Sequence, residues 1–245
     1  MKRLIIFGAT SAIAEATARQ FATRGAGIFL VGRSQTRLQA IAEDLKIRGA
    51  SMIAVRCQDL RDVSSHQSIL DEAAQTLGGL DAALIAYGTL SNQKACEESV
   101  EKLLDELQTN AISVMALCTV IGNRFAEQKH GVIAVISSVA GDRGRASNYV
   151  YGSAKSAVSA FTSGLRQRLG AAGVSVVTVK PGFVDTPMTA AFKKGALWAK
   201  PSAVGRQIAA AMINGTPVIY TPGFWRPVMW IIRSIPEAIF RRLPL

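Results

Sequence analysis

Short apolar runs rich in β-branched residues alternate with longer stretches of helical character along most of this chain. Seven runs have the length and composition of strands: residues 4–7, 28–31, 52–55, 82–86, 132–136, 174–179 and 218–220. The segments between them, such as 34–48 and 148–172, are long enough to contain a crossover helix. Strands that are apolar on both faces must be covered by helices on both faces. The pattern therefore predicts an α/β fold, with a single doubly wound parallel sheet of about seven strands.

Composition and the longest apolar stretches exclude several other classes of protein. Of the 245 residues, 49% are hydrophobic and 18% are charged, which excludes intrinsic disorder. The apolar run at residues 4–7 ends at Gly8 and is too short for the core of a signal peptide. The longest uncharged helical stretch, 107–123, contains several amide and hydroxyl side chains and predicts a buried helix, not a membrane span.

The positive charge of the chain is concentrated towards its ends. The net charge is +11, and residues 193–245 contain eight basic residues and one acidic residue. Residues 51–192, with twelve basic and thirteen acidic residues, are close to neutral. This distribution indicates an anionic partner: a phosphate-bearing cofactor, an acidic lipid surface or a nucleic acid. Because the sequence contains no recognition module for nucleic acid, we expect no partner of that kind.

The three cysteines, Cys57, Cys96 and Cys118, are an odd number with no close pair. Such spacing is typical of reduced thiols, and we expect a cytoplasmic protein. The chain has two histidines, His66 and His130, which is too few for a histidine-rich metal centre. No metal site is predicted.

A turn of small residues, 8–14, follows the first predicted strand and precedes a helical stretch. Backbone N–H groups and the positive end of the helix dipole converge at such a turn, which suits a pyrophosphate. Gly8 begins the turn, Thr10 and Ser11 add hydroxyl groups, and Ile13 lies close by. A tight turn that merely packs well is the alternative interpretation, because alanines replace two of the three expected glycines.

Residues that follow the second and third predicted strands fit the remainder of a dinucleotide. Arg33 follows the second strand, at a position where an acidic residue would bind the ribose hydroxyls of NAD. An arginine at this position can instead pair with the 2′-phosphate of NADP. Asp59 and Leu60 follow the third strand and are within reach of an adenine amino group. A solvated arginine at a helix start and an ordinary loop aspartate are the alternatives.

Tyr151 and Lys155 are four residues apart at the start of a long helical stretch, so both lie on one helix face. A free tyrosine has a pKa of about 10, and we expect the ammonium group and an oxidised nicotinamide to lower it. Tyr149 lies on another face. Ser138 follows the fifth predicted strand, at the sheet edge where open α/β folds bind ligands. Asn110 is a buried polar group for which we expect a bound water leading to Lys155. Taken singly, each residue also fits a purely structural role.

These motifs, in this order, resemble the short-chain dehydrogenase/reductase family over essentially residues 1–220. The matching residues are Gly8, Asp59, Ala86, Gly88, Asn110, Ser137, Ser138, Tyr151, Lys155, Pro181, Gly182, Val184 and Thr186. The resemblance implies a catalytic tetrad of Asn110, Ser138, Tyr151 and Lys155. It also implies that the 181–186 segment contacts the nicotinamide amide and the diphosphate, and that Ala86 and Gly88 lie at the cofactor.

The sequence departs from the family pattern at two places. Ala12 and Ala14 replace glycines of the first turn, and their methyl groups would narrow the approach of a cofactor. The segment after the fourth strand reads Ala86-Tyr87-Gly88 in place of Asn-Ala-Gly, which removes a side chain that would tie the central sheet.

Three stretches resemble, more specifically, the reductases that convert a polyprenyl-phosphate 2-keto-ribose to the arabinose form. They are residues 86–90, 181–189 and 235–244. This resemblance implies a lipid-linked keto-sugar as substrate. A 3-oxoacyl thioester or another lipid-like ketone fits the same catalytic groups. A non-catalytic NADP-binding redox sensor or a scaffold subunit is the alternative of another class.

Residues 222–245 form a basic, aromatic and amphipathic extension that follows a domain of residues 1–221. At helical spacing, one side is apolar and the other basic. The apolar side has Trp225, Met229, Ile232, Ile235, Ile239 and Leu243, and the basic side has Arg226, Arg233 and Arg241. Pro236 predicts a break into two helices. Such a segment suits contact with the inner face of a membrane or with a lipid chain, and packing on its own domain or on a second subunit is the alternative.

Together these features predict a reductase that prefers NADP(H) to NAD(H) and converts a ketone to a secondary alcohol. Tyr151 is expected to donate the proton, and Ser138 to hold the substrate oxygen. Lys155 is expected to bind the nicotinamide ribose and tune the phenol, and Asn110 to order a proton-relay water. We also expect a homo-oligomer.

Overall fold

The fold is built on a seven-stranded parallel sheet. The computed structural model describes residues 1–243, so Pro244 and Leu245, the end of the predicted extension, lie outside the described residues. The strands are β1 (Arg3–Phe7), β2 (Gly27–Gly32), β3 (Met52–Cys57), β4 (Ala82–Ile85), β5 (Gly131–Ile136), β6 (Val174–Pro181) and β7 (Val218–Thr221). Their order across the sheet is β3-β2-β1-β4-β5-β6-β7, and every neighbouring pair is parallel. The predicted fold class and the seven predicted strands are confirmed.

Helices cover both faces of this sheet. They are α1 (Ala12–Ala22), α2 (Gln35–Ile47), α3 (His66–Leu77), α4 (Gln93–Glu98), α5 (Val100–Leu107), α6 (Ser113–Gln128), α7 (Tyr149–Gly170), α8 (Pro201–Asn214), α9 (Trp225–Ser234) and α10 (Glu237–Phe240). In β1, Leu4 and Ile6 pack with α1, α2 and α8, whereas Ile5 and Phe7 pack with α3, α6 and α7 on the other face. Each such burial contributes about 1.5–3 kcal/mol, which explains why β1 is apolar from Leu4 to Phe7.

The strand order reverses direction at β1. From β1 the chain first builds outward through β2 and β3, and it then returns to place β4 on the opposite side of β1. At such a switch point the connections leave the carboxyl ends of two adjacent strands in opposite directions, which opens a crevice. The crevice lies at the turn after β1, next to the loop after β4.

The predicted helix at 107–123 is not continuous α-helix. α5 ends at Leu107, the segment Gln108–Ile112 is a π-helical turn, and α6 begins at Ser113. Asn110 lies in this turn and is fully buried, as predicted. A π-helical turn is a local widening of the helix that is frequent at functional sites. Within residues 1–243, no helix combines the length and hydropathy needed to cross a bilayer.

The segment after β7 forms two short helices, α9 and α10, which break at Pro236 as predicted. On α9 the predicted apolar side is correct, because Trp225 and Met229 are buried against Val139. On the second helix the prediction is wrong, because Ile239 is exposed and Phe240 is buried instead. The extended residue before a proline changes the direction of the chain, so the helical periodicity does not continue across it.

Candidate active site

A groove runs along the carboxyl edge of the sheet and consists of two adjoining cavities. The arginine cavity, of about 240 Å³, is lined by Arg33, Arg37 and Arg61. The tyrosine cavity, of about 200 Å³, is lined by Tyr151, Lys155 and further residues. Both cavities share one wall, formed by Ser11, Ile13, Ala86, Tyr87, Gly88, Thr89, Thr186 and Met188. The groove is therefore continuous from one cavity to the other.

Every candidate site residue named from the sequence lines this groove. The arginine cavity has Gly8, Thr10, Ser11, Ile13, Arg33, Asp59, Leu60, Ala86, Gly88 and Thr186. The tyrosine cavity has Asn110, Ser138, Tyr151, Lys155, Pro181, Gly182, Val184 and Thr186, together with Ser11, Ile13, Ala86 and Gly88. The fold thus brings to one crevice residues that are widely separated along the chain.

The turn after β1 has the geometry of an anion site. Gly8 has φ 79°, and a Cβ atom there would lie 2.6 Å from the Tyr87 backbone nitrogen, so a side chain is excluded. Ser11 precedes α1, and its side chain makes no capping hydrogen bond within the described chain. Its hydroxyl and the first N–H groups of α1 are therefore available to a diphosphate. The methyl group of Ala14 is buried in the core, so of the two alanines only Ala12 borders the groove.

Arg37 and Arg61 join Arg33 in the arginine cavity. The Arg37 guanidinium donates to the Thr10 carbonyl at 2.8 Å, which fixes it beside the first turn. Arg61 forms an ion pair with Asp59 at 2.9 Å. Hydrogen bonds from Arg61 hold the pKa of the Asp59 carboxyl below its usual value, so this carboxylate already has a partner besides the predicted adenine. Neither arginine was named from the sequence, although Arg37 lies one helical turn after Arg33.

Tyr151 and Lys155 occupy the first two turns of α7. Lys155 is 3% exposed, and its ammonium donates to the Ile136 carbonyl at 3.2 Å, at the end of β5. The Ser137 hydroxyl in turn donates to the Lys155 carbonyl at 2.9 Å. These contacts anchor the start of α7 to the carboxyl end of β5. Tyr149, in contrast, is exposed.

The groups of the chain itself raise the pKa of Tyr151, whereas the predicted lowering includes the charge of an oxidised nicotinamide. Burial raises the pKa of Tyr151 to about 12, and a hydrogen bond with Ser138 only partly opposes this effect. Burial lowers the pKa of Lys155 to about 8. Removal of water from both groups therefore outweighs the attraction between them, since the charged form of each loses solvation. The phenol remains protonated at neutral pH, the state that a proton donor requires.

Atoms of the chain itself form hydrogen bonds with the Asn110 side chain, and the relay water stays a prediction. Its amide oxygen accepts from the Thr89 backbone N–H at 2.9 Å, and its amide nitrogen donates to the Thr89 hydroxyl at 2.9 Å and to the Glu106 carboxylate at 2.8 Å. The same carboxylate oxygen accepts from the hydroxyls of Thr89 and Ser91. A Cβ atom on Gly88 would lie 2.7 Å from the Asn110 amide oxygen and 3.5 Å from the Lys155 ammonium nitrogen. Asn110 and Lys155 thus border one small space.

Contacts from Tyr87 and Thr89, and not the asparagine of the family pattern, hold the loop after β4 against the helices. The Tyr87 hydroxyl donates to the Ser113 hydroxyl at 3.1 Å, at the start of α6. Ser138 follows β5, and its hydroxyl accepts from the Ala140 N–H at 3.1 Å. The loss of the expected asparagine at position 86 is therefore offset by contacts from Tyr87 and Thr89.

Aromatic side chains form one wall of the tyrosine cavity. Phe183 stacks on Trp198, with ring centres 5.3 Å apart, and meets Trp225 edge-on at 5.4 Å. Trp225 comes from α9, so the C-terminal segment contributes directly to the site. The sequence marked Trp225 as apolar, but its place in the cavity depends on how α9 folds back onto the sheet edge.

Residues 2–196 match the family described as short chain dehydrogenase. The chain belongs to the short-chain dehydrogenase family. Its relatives include an uncharacterized oxidoreductase of Mycobacterium tuberculosis, 32% identical over 241 residues, which cover 98% of this chain and 96% of the relative. An uncharacterized oxidoreductase of Streptomyces coelicolor is 34% identical over 243 residues, which cover 99% of this chain and 96% of the relative.

A solved structure supports the fold assignment. A variant of actinorhodin polyketide ketoreductase, in a crystal structure with NADPH, superposes with a TM-score of 0.80 at 22% identity and covers 89% of this chain and 95% of that chain. By its family and its relatives, this short-chain dehydrogenase is an NAD(P)-dependent oxidoreductase. The helix N-terminus, the arginines and the small-residue turn provide donors that fit a dinucleotide diphosphate and its phosphorylated ribose.

Proposed function

We propose that this enzyme reduces a ketone to a secondary alcohol. The observation that carries the proposal is the convergence of Ser138, Lys155 and the half-buried Tyr151 on one cavity with an aromatic wall. Bound NADPH would supply a hydride to the carbonyl carbon. Tyr151 donates its proton to the carbonyl oxygen, and general acid catalysis of this kind contributes about 10²–10⁴ in rate.

The neighbouring residues support that proton transfer. The Ser138 hydroxyl holds the substrate oxygen next to the phenol. The Lys155 ammonium stabilises the negative charge left on Tyr151 once its proton has moved. Asn110 is a positioning residue in this account, because its hydrogen bonds to Thr89 and Glu106 fix the loop that borders the ammonium.

NADPH is the proposed cofactor in preference to NADH. Arg33 and Arg37 surround the part of the groove where a 2′-phosphate would lie, and guanidinium groups bind phosphate through paired hydrogen bonds. The carboxylate of that cavity, Asp59, is neutralised by Arg61 and therefore repels a phosphate less. The actinorhodin polyketide ketoreductase structure contains NADPH, which agrees with this proposal.

The proposed substrate is a lipid-linked keto-sugar. The aromatic wall formed by Phe183, Trp198 and Trp225 offers flat apolar faces on which a sugar ring or an alkyl chain can pack. The adjoining helices α9 and α10 carry exposed apolar side chains between arginines. Trp230, Ile231 and Ile239 are 72%, 57% and 55% exposed. We propose that this surface contacts an anionic membrane from which the substrate is taken.

Stoichiometric consumption of NADPH tests the proposal. The purified enzyme should oxidise NADPH with a keto-sugar phosphate, a 3-oxoacyl thioester or another ketone of a panel, in a ratio of one alcohol formed per NADPH. A redox sensor or a scaffold subunit would bind NADPH without turnover of any ketone. Binding without turnover across the panel would therefore contradict the proposed reductase.

A further inference from the structure

Arg145 lines the tyrosine cavity, and its guanidinium has no carboxylate partner in residues 1–243. Its Nε atom is buried and has no hydrogen-bond partner among the described residues. Its contact with the chain is a weak donation from Nη2 to the sulfur of Met229 at 3.8 Å. This arginine therefore has unused donors inside a cavity.

Arg143, two residues earlier, shows what a structural arginine does in the same loop. Its guanidinium donates to the carbonyls of Ile232 and Ile235 and to the carboxylate of Glu237, and it lies over the ring of Phe240 at 3.7 Å. Arg143 thereby fastens α9 and α10 to the loop after β5. Arg145 makes no comparable contacts within the described chain, so the fold does not account for its position.

Two further unsatisfied polar atoms belong to the walls of the same cavity. Five buried side-chain atoms lack a partner in the described part of the chain, and three of them belong to Arg145, Asn148 and Trp225. Asn148 is fixed relative to Arg145, because its backbone N–H donates to the Arg145 carbonyl at 3.1 Å. Trp225 provides an indole N–H, and Asn148 provides an amide oxygen. The cavity thus carries donors and an acceptor that the protein leaves unused.

The buried Nε atom of Arg145, left without an acceptor, is unfavourable. Leaving a buried donor without an acceptor costs about 1–3 kcal/mol, and more for a charged group. Burial accordingly lowers the pKa of Arg145. The guanidinium presents parallel N–H donors that match the oxygens of a phosphate or a carboxylate. An oxyanion in the cavity would remove this penalty.

We propose that Arg145 binds an oxyanion, a phosphate or a carboxylate, carried by the ketone substrate. The Trp225 indole N–H adds a second donor, and the Asn148 amide oxygen accepts from a substrate hydroxyl. This inference rests on the proposed function, since it assigns a feature of the substrate to the same cavity. Tyr151 and Ser138 then hold the reacting carbonyl, and Arg145 holds the charged group. The enzyme thereby selects substrates by the distance between their carbonyl and their oxyanion.

Matched probes test this proposal. The kcat/KM for dihydroxyacetone phosphate is compared with that for dihydroxyacetone, and the kcat/KM for acetoacetate with that for methyl acetoacetate. We expect the wild-type enzyme to prefer one charged probe by about tenfold or more, which identifies the oxyanion as phosphate or carboxylate. In Arg145→Met, which retains the apolar stem beside Met229, the ratio should fall to near one. Arg145→Lys should give an intermediate ratio, and Arg24→Met, at an exposed arginine, should leave the ratio unchanged.

A binding measurement separates this proposal from the reductase proposal. Calorimetric titration with butyl phosphate and butanoate, using butanol as the neutral control, requires no turnover. We expect the affinity for one anion to fall about tenfold in Arg145→Met and to persist in Arg33→Ala, which changes the other cavity. Loss of anion binding in Arg145→Met with no ketone turnover in the wild type would retain the oxyanion site and contradict the reductase. Anion affinity that is absent in the wild type, or equal in wild type and Arg145→Met, would overturn the oxyanion site.

Discussion

The ammonium nitrogen of Lys155 lies 5.7 Å from the centre of the Tyr151 ring, one turn further along α7. Burial moves their pKa values apart, to about 8 for Lys155 and about 12 for Tyr151. In the neutral range the pair therefore consists of an intact phenol and a charged amine. This is the combination that proton donation to a carbonyl requires.

The rate of ketone reduction should fall as the pH rises through about 8. At that pH Lys155 loses its proton, because its pKa is lowered to about 8, whereas Tyr151 stays protonated up to about 12. The charge that stabilises a developing phenolate is then lost. The pH dependence of kcat measures this effect. In Lys155→Arg, whose guanidinium stays charged, the alkaline decline should shift to higher pH, and a wild-type rate that is flat from pH 7 to 10 would argue against the assignment.

Replacement of Arg33 or Arg37 by alanine should weaken NADPH binding about tenfold and leave NADH binding nearly unchanged. Charge-assisted hydrogen bonds to the 2′-phosphate are lost with either guanidinium, and such bonds contribute about 1.5–3 kcal/mol. Dissociation constants for both nucleotides measure the change. Arg24→Ala, at an exposed arginine that contacts the Gln20 carbonyl, is the matched control. An unchanged ratio of the two constants in Arg33→Ala and Arg37→Ala would refute the phosphate role.

Glu106→Gln should lower kcat about tenfold with a smaller effect on the KM for NADPH. One oxygen of the Glu106 carboxylate accepts from Thr89, Ser91 and Asn110, and a neutral amide cannot replace all of these bonds. The loop beside Lys155 then loses its fixed position. Glu101→Gln, at an exposed carboxylate of α5, is the control. Equal kcat in the wild type and Glu106→Gln would show that this network does not position the site.

The double variant Trp230→Glu/Ile231→Glu should lose sedimentation with vesicles that contain phosphatidylglycerol. Both side chains are exposed on α9. A glutamate at either position would oppose insertion of this surface into a membrane interface, because its carboxylate must stay in water. Ile47→Glu, at a side chain that is 87% exposed on the far end of α2, is the control. If the double variant pellets as the wild type does, this surface does not bind membrane. A change in oligomeric state without a change in sedimentation would assign the surface to a second subunit.

Much of this architecture can be predicted from the sequence, because the relevant signals are local. The strand at β2 is predictable since every residue of Gly27–Gly32 is buried, and burial on both faces requires an apolar run. Tyr151 and Lys155 are predictable because their spacing is one helical turn. In each case, neighbours along the chain contain the information.

The remaining features depend on contacts between distant segments. The sequence around Arg143 and Arg145 does not show which arginine has hydrogen-bond partners. The position of α9 shows that Arg143 has them and that the Arg145 Nε atom does not. Trp225 reaches the cavity because α9 folds back across the sheet edge. The raised pKa of Tyr151 reflects burial, which the spacing of residues does not reveal. These properties depend on tertiary contacts between segments that are distant in the sequence.

The most direct test of the proton-donor assignment compares two tyrosines at the start of α7. Tyr151 lines the cavity, whereas Tyr149 is exposed, so Tyr151→Phe and Tyr149→Phe remove the same hydroxyl group from two different environments. Steady-state reduction of the best ketone of the panel is measured for each variant, together with NADPH affinity. Tyr151→Phe is expected to lose about 10²–10⁴ in kcat with nearly unchanged NADPH binding, and Tyr149→Phe is expected to resemble the wild type. A Tyr151→Phe enzyme that retains most of its kcat would show that Tyr151 is not the proton donor.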